Sequence, residues 1–334
     1  MSIITRCVSF PMNEAANKTL KLDFGGGEHP SKLVGGLTPY YKTASGAAYH
    51  ADALIVMRAM PDASINLVFT SPPYALHFKK EYGNASQSEY VDWFLGFARE
   101  IKRILADDGS FVLNIGGSWT PGLPTRSIYQ YKLLVDLVEK LGLFLAQDCY
   151  WYNPAKMPVP AEWVSVRRIR VKDSVEHVWW FSKNPWPKAD NRKVLRPYSR
   201  DMLRLAQRGV KTTVRPSGHA INGSFDSIAT GGSIPPNMVD DETPSDLFKL
   251  GNNASNDSYT KRCKETGTTI HPARFPPALP EFFVKMLTDE GDIVLDPFAG
   301  SNTTGAVVEM LGRRWIAVDT SQEYLAGSKF RFDL

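Results

Sequence analysis

The stretch Ile65-Asn66-Leu67-Val68-Phe69-Thr70-Ser71-Pro72-Pro73-Tyr74 decides how the rest of this chain is interpreted. Its first part is rich in β-branched and aromatic residues, which predicts a buried strand. The two prolines cannot donate a hydrogen bond to a neighbouring strand, so the backbone leaves the sheet in a stiff turn. The alternative is a strand that simply ends in a Pro-Pro turn at the surface.

The chemistry of this turn suits a flat nucleobase with an exocyclic amino group. Such a group needs two hydrogen-bond acceptors, which the Ser71 hydroxyl and the Pro72 carbonyl would supply. The base also needs a stacking surface, which the ring of Tyr74 would supply. Ser71, Pro72, Pro73 and Tyr74 are therefore the predicted catalytic residues.

The bulk composition excludes several classes of protein. With 334 residues, 43% hydrophobic and 22% charged, the chain has room for one large globular domain or a domain with an insertion. We expect neither a membrane span nor a signal peptide, because no sufficiently long apolar run is present. Three widely spaced cysteines predict neither disulfides nor a zinc site, and they favour a reducing cytoplasm. The net charge of +4 permits an anionic partner.

A second turn, Asp296-Pro297-Phe298-Ala299-Gly300-Ser301-Asn302-Thr303-Thr304-Gly305, stands between a predicted strand and a predicted helix. Open α/β sheets bind ligands at such carboxyl ends of strands. Gly300 would let a ligand approach the main chain, and N–H groups near Thr303 could meet a carboxylate. Asp319 ends the next predicted strand, where an acid can accept hydrogen bonds from both ribose hydroxyls.

The residues of this second turn narrow the choice of ligand. The turn lacks the Gly-x-Gly-x-x-Gly pattern of dinucleotide sites and the Gly-Lys-Ser/Thr pattern of triphosphate sites. A ribose and a carboxylate without a pyrophosphate fit S-adenosylmethionine. The alternative is a generic strand–glycine–helix turn followed by a solvent-facing aspartate.

Strands and helices alternate along most of the chain, which predicts an α/β fold with a mostly parallel sheet covered on both faces. Asp52 either caps a helix or faces a ligand at a strand end. Trp179 and Trp180 are predicted to be core residues, and Asn114 either approaches the pocket or belongs to a tight turn. The predicted helices are 90–105, 128–141, 281–288 and 321–330, and the predicted strands include 110–115, 144–151, 175–181, 292–296 and 315–319.

One segment differs in composition from its surroundings. Basic residues far outnumber acids between Asn184 and Ser217, and the chain from Asn222 to Thr268 is poor in large apolar residues. We therefore predict a loop-rich insertion at 185–268, between two parts of the sheet domain at 1–184 and 269–334. A solvated charged face is the alternative to phosphate binding. The predicted DNA-binding residues are Lys188, Arg192, Lys193, Arg196, Arg200 and Arg215.

Taken together, the two turns resemble those of the DNA amino-methyltransferases. The catalytic turn precedes the cofactor turn, which resembles the permuted motif order of the β group. Tyr74 and Asp319 depart from the Phe and Glu of the similar N4-cytosine pattern, although either ring can stack and either acid can bind ribose. Longer stretches that resemble N4-cytosine members are 80–84, 90–95, 169–173, 178–183, 215–219, 231–237 and 271–276.

The resemblance implies a Rossmann-like, S-adenosylmethionine-dependent methyltransferase that acts on double-stranded DNA. It further implies one half of a restriction–modification system with a cognate endonuclease, in the bacterial cytoplasm at the nucleoid. Asp319 would hold the ribose, residues around Asp52 would border the adenine, and 271–283 would pack on the methionine end. The resemblance makes 185–268 the target-recognition region, 1–184 the catalytic part and 269–334 the cofactor-binding part. The implied cofactor-binding residues are Asp52, His271, Pro272, Phe275, Asp296, Pro297, Phe298, Gly300, Ser301, Asn302, Thr303 and Asp319, and no metal site is expected.

The predicted reaction is methylation of the N4 amino group of cytosine. Its nitrogen is a poor nucleophile, and acceptors at Ser71 and Pro72 would favour a tetrahedral nitrogen with a free lone pair. No cysteine follows a proline in a comparable turn, so the covalent route of C5 methylation lacks a nucleophile. The base must also be flipped out of the duplex. N6-adenine methylation and a non-catalytic DNA-binding protein remain alternatives.

Overall fold

The computed structural model describes residues 27–75, 86–208, 213–214, 216, 220–221, 231–240, 257–332 and 334. The helices are α1 Ala53–Arg58, α2 Tyr90–Ile104, α3 Tyr129–Glu139, α4 Arg200–Arg208, α5 Ser258–Thr266, α6 Ala278–Leu287, α7 Thr303–Met310 and α8 Gln322–Ser328. The strands are β1 Tyr41–Lys42, β2 Gly46–His50, β3 Ile65–Thr70, β4 Leu105–Ile115, β5 Phe144–Tyr152, β6 Val175–Ser182, β7 Thr213–Val214, β8 Ala220–Ile221, β9 Met238–Val239, β10 Ile293–Asp296 and β11 Arg314–Asp319.

Nine of these strands form one sheet in the order β1-β2-β11-β10-β3-β4-β6-β5-β9. The five central strands from β2 to β4 run parallel. Strand β6 is antiparallel to both β4 and β5, and β1 is antiparallel to β2. The prediction of a mostly parallel α/β sheet is therefore confirmed. The structure adds an antiparallel flank beyond β4.

Alternate residues of the central strands build two separate cores, one on each face of the sheet. Val68 and Leu295 pack with helices α1, α2 and α3. Their neighbours Leu67 and Val294 point the other way and pack with α6, α7 and α8. This alternation is the two-residue period of a strand that is covered on both faces. Trp179 is 1% exposed, so its predicted place in the core is confirmed.

The sheet changes its winding direction between β3 and β10. The chain passes from β3 through α2 to β4 on one side, and from β10 through α7 to β11 on the other. Because Leu67 pairs with Val294 and Val68 with Leu295, the two strands end side by side. The Thr70 hydroxyl donates a 2.7 Å hydrogen bond to Asp296 Oδ1 and ties the two ends together. Open α/β sheets bind ligands at such a switch point.

The predicted recognition region at 185–268 packs on the sheet domain at both of its ends. Val194 belongs to the core formed with α6, and Tyr259 and Cys263 of α5 are buried. Arg262 of α5 donates to the carbonyl of Phe330 near the end of the chain. Both ends of the region pack on the sheet domain because each carries apolar side chains that are buried there away from water. Within the described residues, no helix is both long and apolar enough to cross a membrane.

Candidate active site

The turns that follow β3 and β10 open into one cleft of about 1010 Å³ at the carboxyl ends of the central strands. All four predicted catalytic residues line it. The predicted cofactor residues that line it are Asp52, His271, Pro272, Phe275, Pro297, Phe298, Gly300, Ser301, Thr303 and Asp319. The switch point thus brings together two sequence motifs that lie far apart along the chain.

The catalytic end of the cleft is a network of polar side chains. The Ser71 hydroxyl lies 3.1 Å from the Tyr74 hydroxyl, which donates to Glu176 Oε2 at 2.8 Å. Asn114 Nδ2 donates to the Tyr74 oxygen at 3.1 Å and to Ser71 Oγ at 3.3 Å. Lys156 Nζ lies 3.0 Å from the other Glu176 oxygen.

These contacts fix the direction of each hydrogen bond. Tyr74 has a single hydroxyl proton, and the Glu176 carboxylate can only accept it. The proton between Ser71 and Tyr74 must therefore come from Ser71. Burial and the nearby Glu176 raise the pKa of Tyr74 well above its ordinary value, which keeps the phenol protonated. Asn114 takes one acceptor position of Ser71, so a second lone pair is left for a group in the cleft.

The antiparallel flank of the sheet supplies the partners of Ser71 and Tyr74. Asn114 lies near the end of β4, and Glu176 lies at the start of β6, where Ile115 pairs with His177. Gly116 has to be a glycine, because a Cβ there would stand 2.5 Å from Cε2 of Tyr74. The sequence did not single out Glu176 or Lys156, and it left Asn114 open. The sequence signal that could have identified Asn114 is its position, because it is a polar residue near the end of β4, the strand beside β3.

The cofactor end of the cleft is shaped by Gly300. Its φ of +50° is unfavourable for other residues, and a Cβ would lie 2.8 Å from His271 Nε2. Asp319 holds this turn, since its Oδ2 accepts from the Gly300 N–H at 2.8 Å and its Oδ1 from the Ser321 N–H at 2.8 Å. Burial raises the pKa of Asp319. Each carboxylate oxygen retains a further lone pair for a hydroxyl in the cleft.

His271 closes the same end as a neutral ring. It packs edge-on against Tyr324, with ring centres 4.5 Å apart. Burial lowers the pKa of His271 to about 4, so the imidazole carries no charge near neutral pH. Apolar walls are supplied by Phe298, which packs on Phe97 and Trp93 with ring centres 5.0 and 5.9 Å apart. A ribose acceptor, a tight glycine turn and flat apolar walls together fit an adenosine-containing ligand such as S-adenosylmethionine.

Two predicted cofactor residues, Asp296 and Asn302, lie behind the turn and do not line the cleft. Asp296 is 2% exposed and accepts from Thr70 and Thr304, each at 2.7 Å. Its burial raises its pKa to about 6. Asn302 is fully buried, caps α7 through a 3.0 Å bond from the Gly305 N–H, and donates to the Tyr41 hydroxyl. Both residues therefore shape the turn from inside the protein.

Asp52 caps a helix and also lines the cleft. Its Oδ1 accepts from the Leu54 N–H at 2.7 Å and caps α1. The residue also lines the cleft beside the end of β11. A helix cap at the edge of a ligand site can serve both roles, because a carboxylate has spare acceptor positions.

Comparison with known proteins agrees with this geometry. A family model described as DNA methylase, of the N6 and N4 type, matches residues 65–330. The chain belongs to the DNA methylase family. This confirms the predicted family, fold and enzyme class, and with the family comes S-adenosylmethionine as the methyl donor.

Individual relatives cover most of this DNA methylase. It is 51% identical over 300 residues to the type II methyltransferase M.PvuII of Proteus hauseri, covering 89% of this chain and 86% of the relative. The solved structure named PvuII DNA methyltransferase (cytosine-N4-specific) matches with a TM-score of 0.70 and 44% identity, covering 89% of each chain. A putative DNA modification methylase of Thermus thermophilus, solved with S-adenosyl-L-methionine, shares the fold at a TM-score of 0.50 and 21% identity, covering 85% of this chain and 92% of that one.

Five of the six predicted DNA-binding residues are described by the structure, and none of these five lines the cleft. Lys188 pairs with Asp289 and Asp292 at 2.7 Å, and Lys193 pairs with Asp289 at 2.5 Å. These acids precede β10, so the pairs lie at the edge of the sheet opposite the cleft. Arg192 pairs with Asp190, Arg196 pairs with Asp240, Arg200 is exposed on α4, and Arg215 lies outside the described residues.

Proposed function

We propose that this DNA methylase transfers the methyl group of S-adenosylmethionine to the N4 amino group of cytosine in duplex DNA. The single observation that carries the proposal is the cleft in which the Ser71 turn and the Gly300 turn face each other at the switch point. The similarity to M.PvuII supports cytosine N4 as the target, because the matching solved structure is named cytosine-N4-specific. Ser71, where an acid would favour adenine, agrees with that target.

The cofactor would lie between the Gly300 turn and the aromatic walls. Asp319 would accept hydrogen bonds from the ribose hydroxyls, Asp52 would border the adenine, and His271 with Phe275 would pack on the methionine end. When bound, S-adenosylmethionine supplies an electrophilic methyl group on a sulfonium. A neutral His271 suits this neighbourhood, because an imidazolium there would repel the positive sulfur.

Ser71 and Pro72 would prepare the cytosine nitrogen. The free lone pair of Ser71 Oγ and the main-chain carbonyl of Pro72 would accept the two amino hydrogens. The nitrogen lone pair would then turn away from the ring and towards the cofactor end of the cleft. Because the network with Tyr74, Asn114 and Glu176 is already formed, most of the catalytic effect is positioning and preorganised polarity.

The same network offers a route for the proton that the amino group must lose. Ser71 would accept that proton as its own proton passes to the Tyr74 oxygen and the Tyr74 proton passes to Glu176. The hydrogen bonds run from the cleft to a carboxylate that is 3.0 Å from Lys156. Glu176 would end the step neutral and release the proton to water.

The biological setting follows from the same proposal. Cytosine N4 is inside the duplex stack, so the enzyme must flip its target base. We assign sequence recognition to the segment 185–268, with Arg200 and Arg215 among its predicted DNA contacts. The type II relative supports a role in a restriction–modification pair, with an endonuclease that cuts the same site, in the bacterial cytoplasm at the nucleoid.

Nucleoside analysis of methylated DNA tests the proposal. Plasmid DNA is incubated with the protein and S-adenosylmethionine, digested to nucleosides and examined by mass spectrometry. We expect N4-methylcytosine, and sequencing of the modified DNA would give the target site. N6-methyladenine as the only product would replace cytosine by adenine in the proposal. Cofactor binding without any methylated base would favour a non-catalytic DNA-binding protein.

A further inference from the structure

The chain between β5 and β6 forms an exposed border of the cleft, which we call the rim segment and define as residues 157–172. Just before it, Asn153 and Lys156 line the cleft, and just after it so does Glu176. Tyr152 at the end of β5 pairs with Val175 at the start of β6. The rim segment therefore lies at the same edge of the sheet as the catalytic turn.

The rim segment carries positive charge that no acid fully neutralises. It has four basic residues and a single acid, Glu162, which pairs with Arg167 at 2.7 Å. Arg170 donates to the carbonyl of Pro124 at 2.9 and 3.1 Å, and Lys172 donates to main-chain carbonyls. A carbonyl fixes the direction of a cationic side chain but leaves its charge in place. Arg168 is exposed and has no acid partner among the described residues.

Exposed apolar side chains alternate with these cations. Val171, between Arg170 and Lys172, is 87% exposed, and Met157 and Val166 are 70% and 68% exposed. Several large apolar side chains exposed within one short, charged segment indicate a contact site. A nucleic acid suits this mixture, since phosphates pair with cations and an unstacked step accepts an apolar wedge.

We propose that the rim segment binds the DNA duplex beside the flipped cytosine. This inference rests on the proposed function, because a base that enters the cleft brings its neighbouring phosphates to the rim. Arg168, with Arg170 and Lys172, binds these phosphates. Val171 occupies the gap that the flipped base leaves and so keeps it from returning. Phosphate contacts position the duplex without reading its sequence, so this surface complements the recognition region.

The salt dependence of DNA binding tests the contribution of Arg168. We compare Arg168→Ala with Arg58→Ala, an exposed arginine at the carboxyl end of α1. Loss of one phosphate contact lowers the slope of log Kd against log salt by about one, and near 0.1 M salt it weakens binding by about tenfold. Arg58→Ala should bind like the wild type. Equal slopes and affinities for the two variants would overturn the phosphate contact.

Methylation of paired and mismatched duplexes tests Val171. We compare Val171→Ala with Val135→Ala, a valine on α3 that is 48% exposed. A mismatched target cytosine is already easier to flip. Val171→Ala should therefore slow methylation of paired DNA about fivefold and regain wild-type rates on the mismatch, whereas Val135→Ala should match the wild type on both.

The outcomes separate this inference from the proposed function. If wild-type protein methylates no cytosine, the proposed function fails, whatever the variants do. If the wild type is active and Val171→Ala behaves like Val135→Ala, the wedge is rejected. An equal loss on paired and mismatched DNA would also reject it, because that result describes damage to the site and not a role in flipping.

Discussion

Both edges of the central sheet carry basic residues, but the groups that these residues contact differ. At the amino-end edge, Lys188 and Lys193 are neutralised by Asp289 and Asp292. At the carboxyl-end edge, two of the four cations of the rim segment, Arg170 and Lys172, donate to carbonyls, and only Arg167 pairs with an acid among the described residues. Ser71 keeps a lone pair for the cleft. A count of basic residues along the sequence favours the amino-end edge as the DNA-binding surface. The structure favours the carboxyl-end edge, because a basic residue attracts a phosphate strongly only when no neighbouring acid has already paired with it.

Among the variants considered, replacement of Ser71 at the carboxyl-end edge by alanine should have the largest effect on activity. Loss of the acceptor at the target amine should reduce kcat by about 10³-fold, as removal of one preorganised hydrogen-bonding group does in other enzymes. Cofactor affinity, measured by calorimetry, should be unchanged because Ser71 lies at the other end of the cleft.

Ser64→Ala is the matched control for that replacement. Ser64 directly precedes the same strand, and its hydroxyl donates to the Pro61 carbonyl. We expect wild-type turnover from Ser64→Ala. Equal turnover of the Ser71 and Ser64 variants would remove Ser71 from its proposed role.

Replacement of Asp319 by alanine comes next. The loss of hydrogen bonds to a charged acceptor, and of the support for the Gly300 turn, should weaken S-adenosylmethionine binding by about 100-fold. Asp292→Ala at the opposite edge is the control and should leave cofactor affinity unchanged. Calorimetry that gives the same affinity for both variants would contradict the ribose site.

A fall in pH should lower the free energy of unfolding, because His271 is buried in its neutral form. Its pKa is about 4 in the folded protein and near 6.5 when unfolded, so the unfolded state binds more protons between these values. The stabilising contribution of neutral His271 is full above pH 6.5 and is lost as the pH falls towards 4. Between pH 7 and pH 5 the loss should be about 2 kcal/mol. His271→Gln should lack this loss when urea unfolding is compared at the two pH values, whereas parallel changes in both proteins would contradict the shift.

Replacement of Lys193 by glutamine should have the smallest effect. Its bond to Asp289 is half exposed, so the free energy of unfolding should fall by less than about 1 kcal/mol. The salt slope of DNA binding should stay the same, because this lysine lies opposite the cleft. A reduced slope would support the sequence-based prediction that Lys193 binds phosphate. It would contradict the view that the amino-end edge does not bind DNA.

The parts of the site that could be predicted from the sequence are contiguous stretches. The strand from Ile65 leads directly into the Ser71 turn, and Asp296 to Gly305 contains the glycine and the helix start together. Alternation of helices and strands then predicted the layers. Asp296 and Asn302 show the limit, because only the three-dimensional turn reveals that these side chains point into the protein.

The rest depends on pairings between distant segments. Glu176 reaches Tyr74 because β6 runs antiparallel to β4, and local periodicity carries no information on strand direction. Lys188 meets acids that lie far along the chain, at Asp289 and Asp292. A composition window cannot detect such a partner, which explains why it selected Lys188 and Lys193, whose charges are already paired.

A crystal structure of the protein with S-adenosylhomocysteine and a duplex that contains its target site would show whether the target base meets Ser71. We expect an extrahelical cytosine in the cleft, with its amino group within hydrogen-bond distance of Ser71 Oγ and the Pro72 carbonyl, and the duplex along the rim segment. A duplex bound against Lys188 and Lys193, or a cleft that holds the cofactor product but no base, would contradict this expectation.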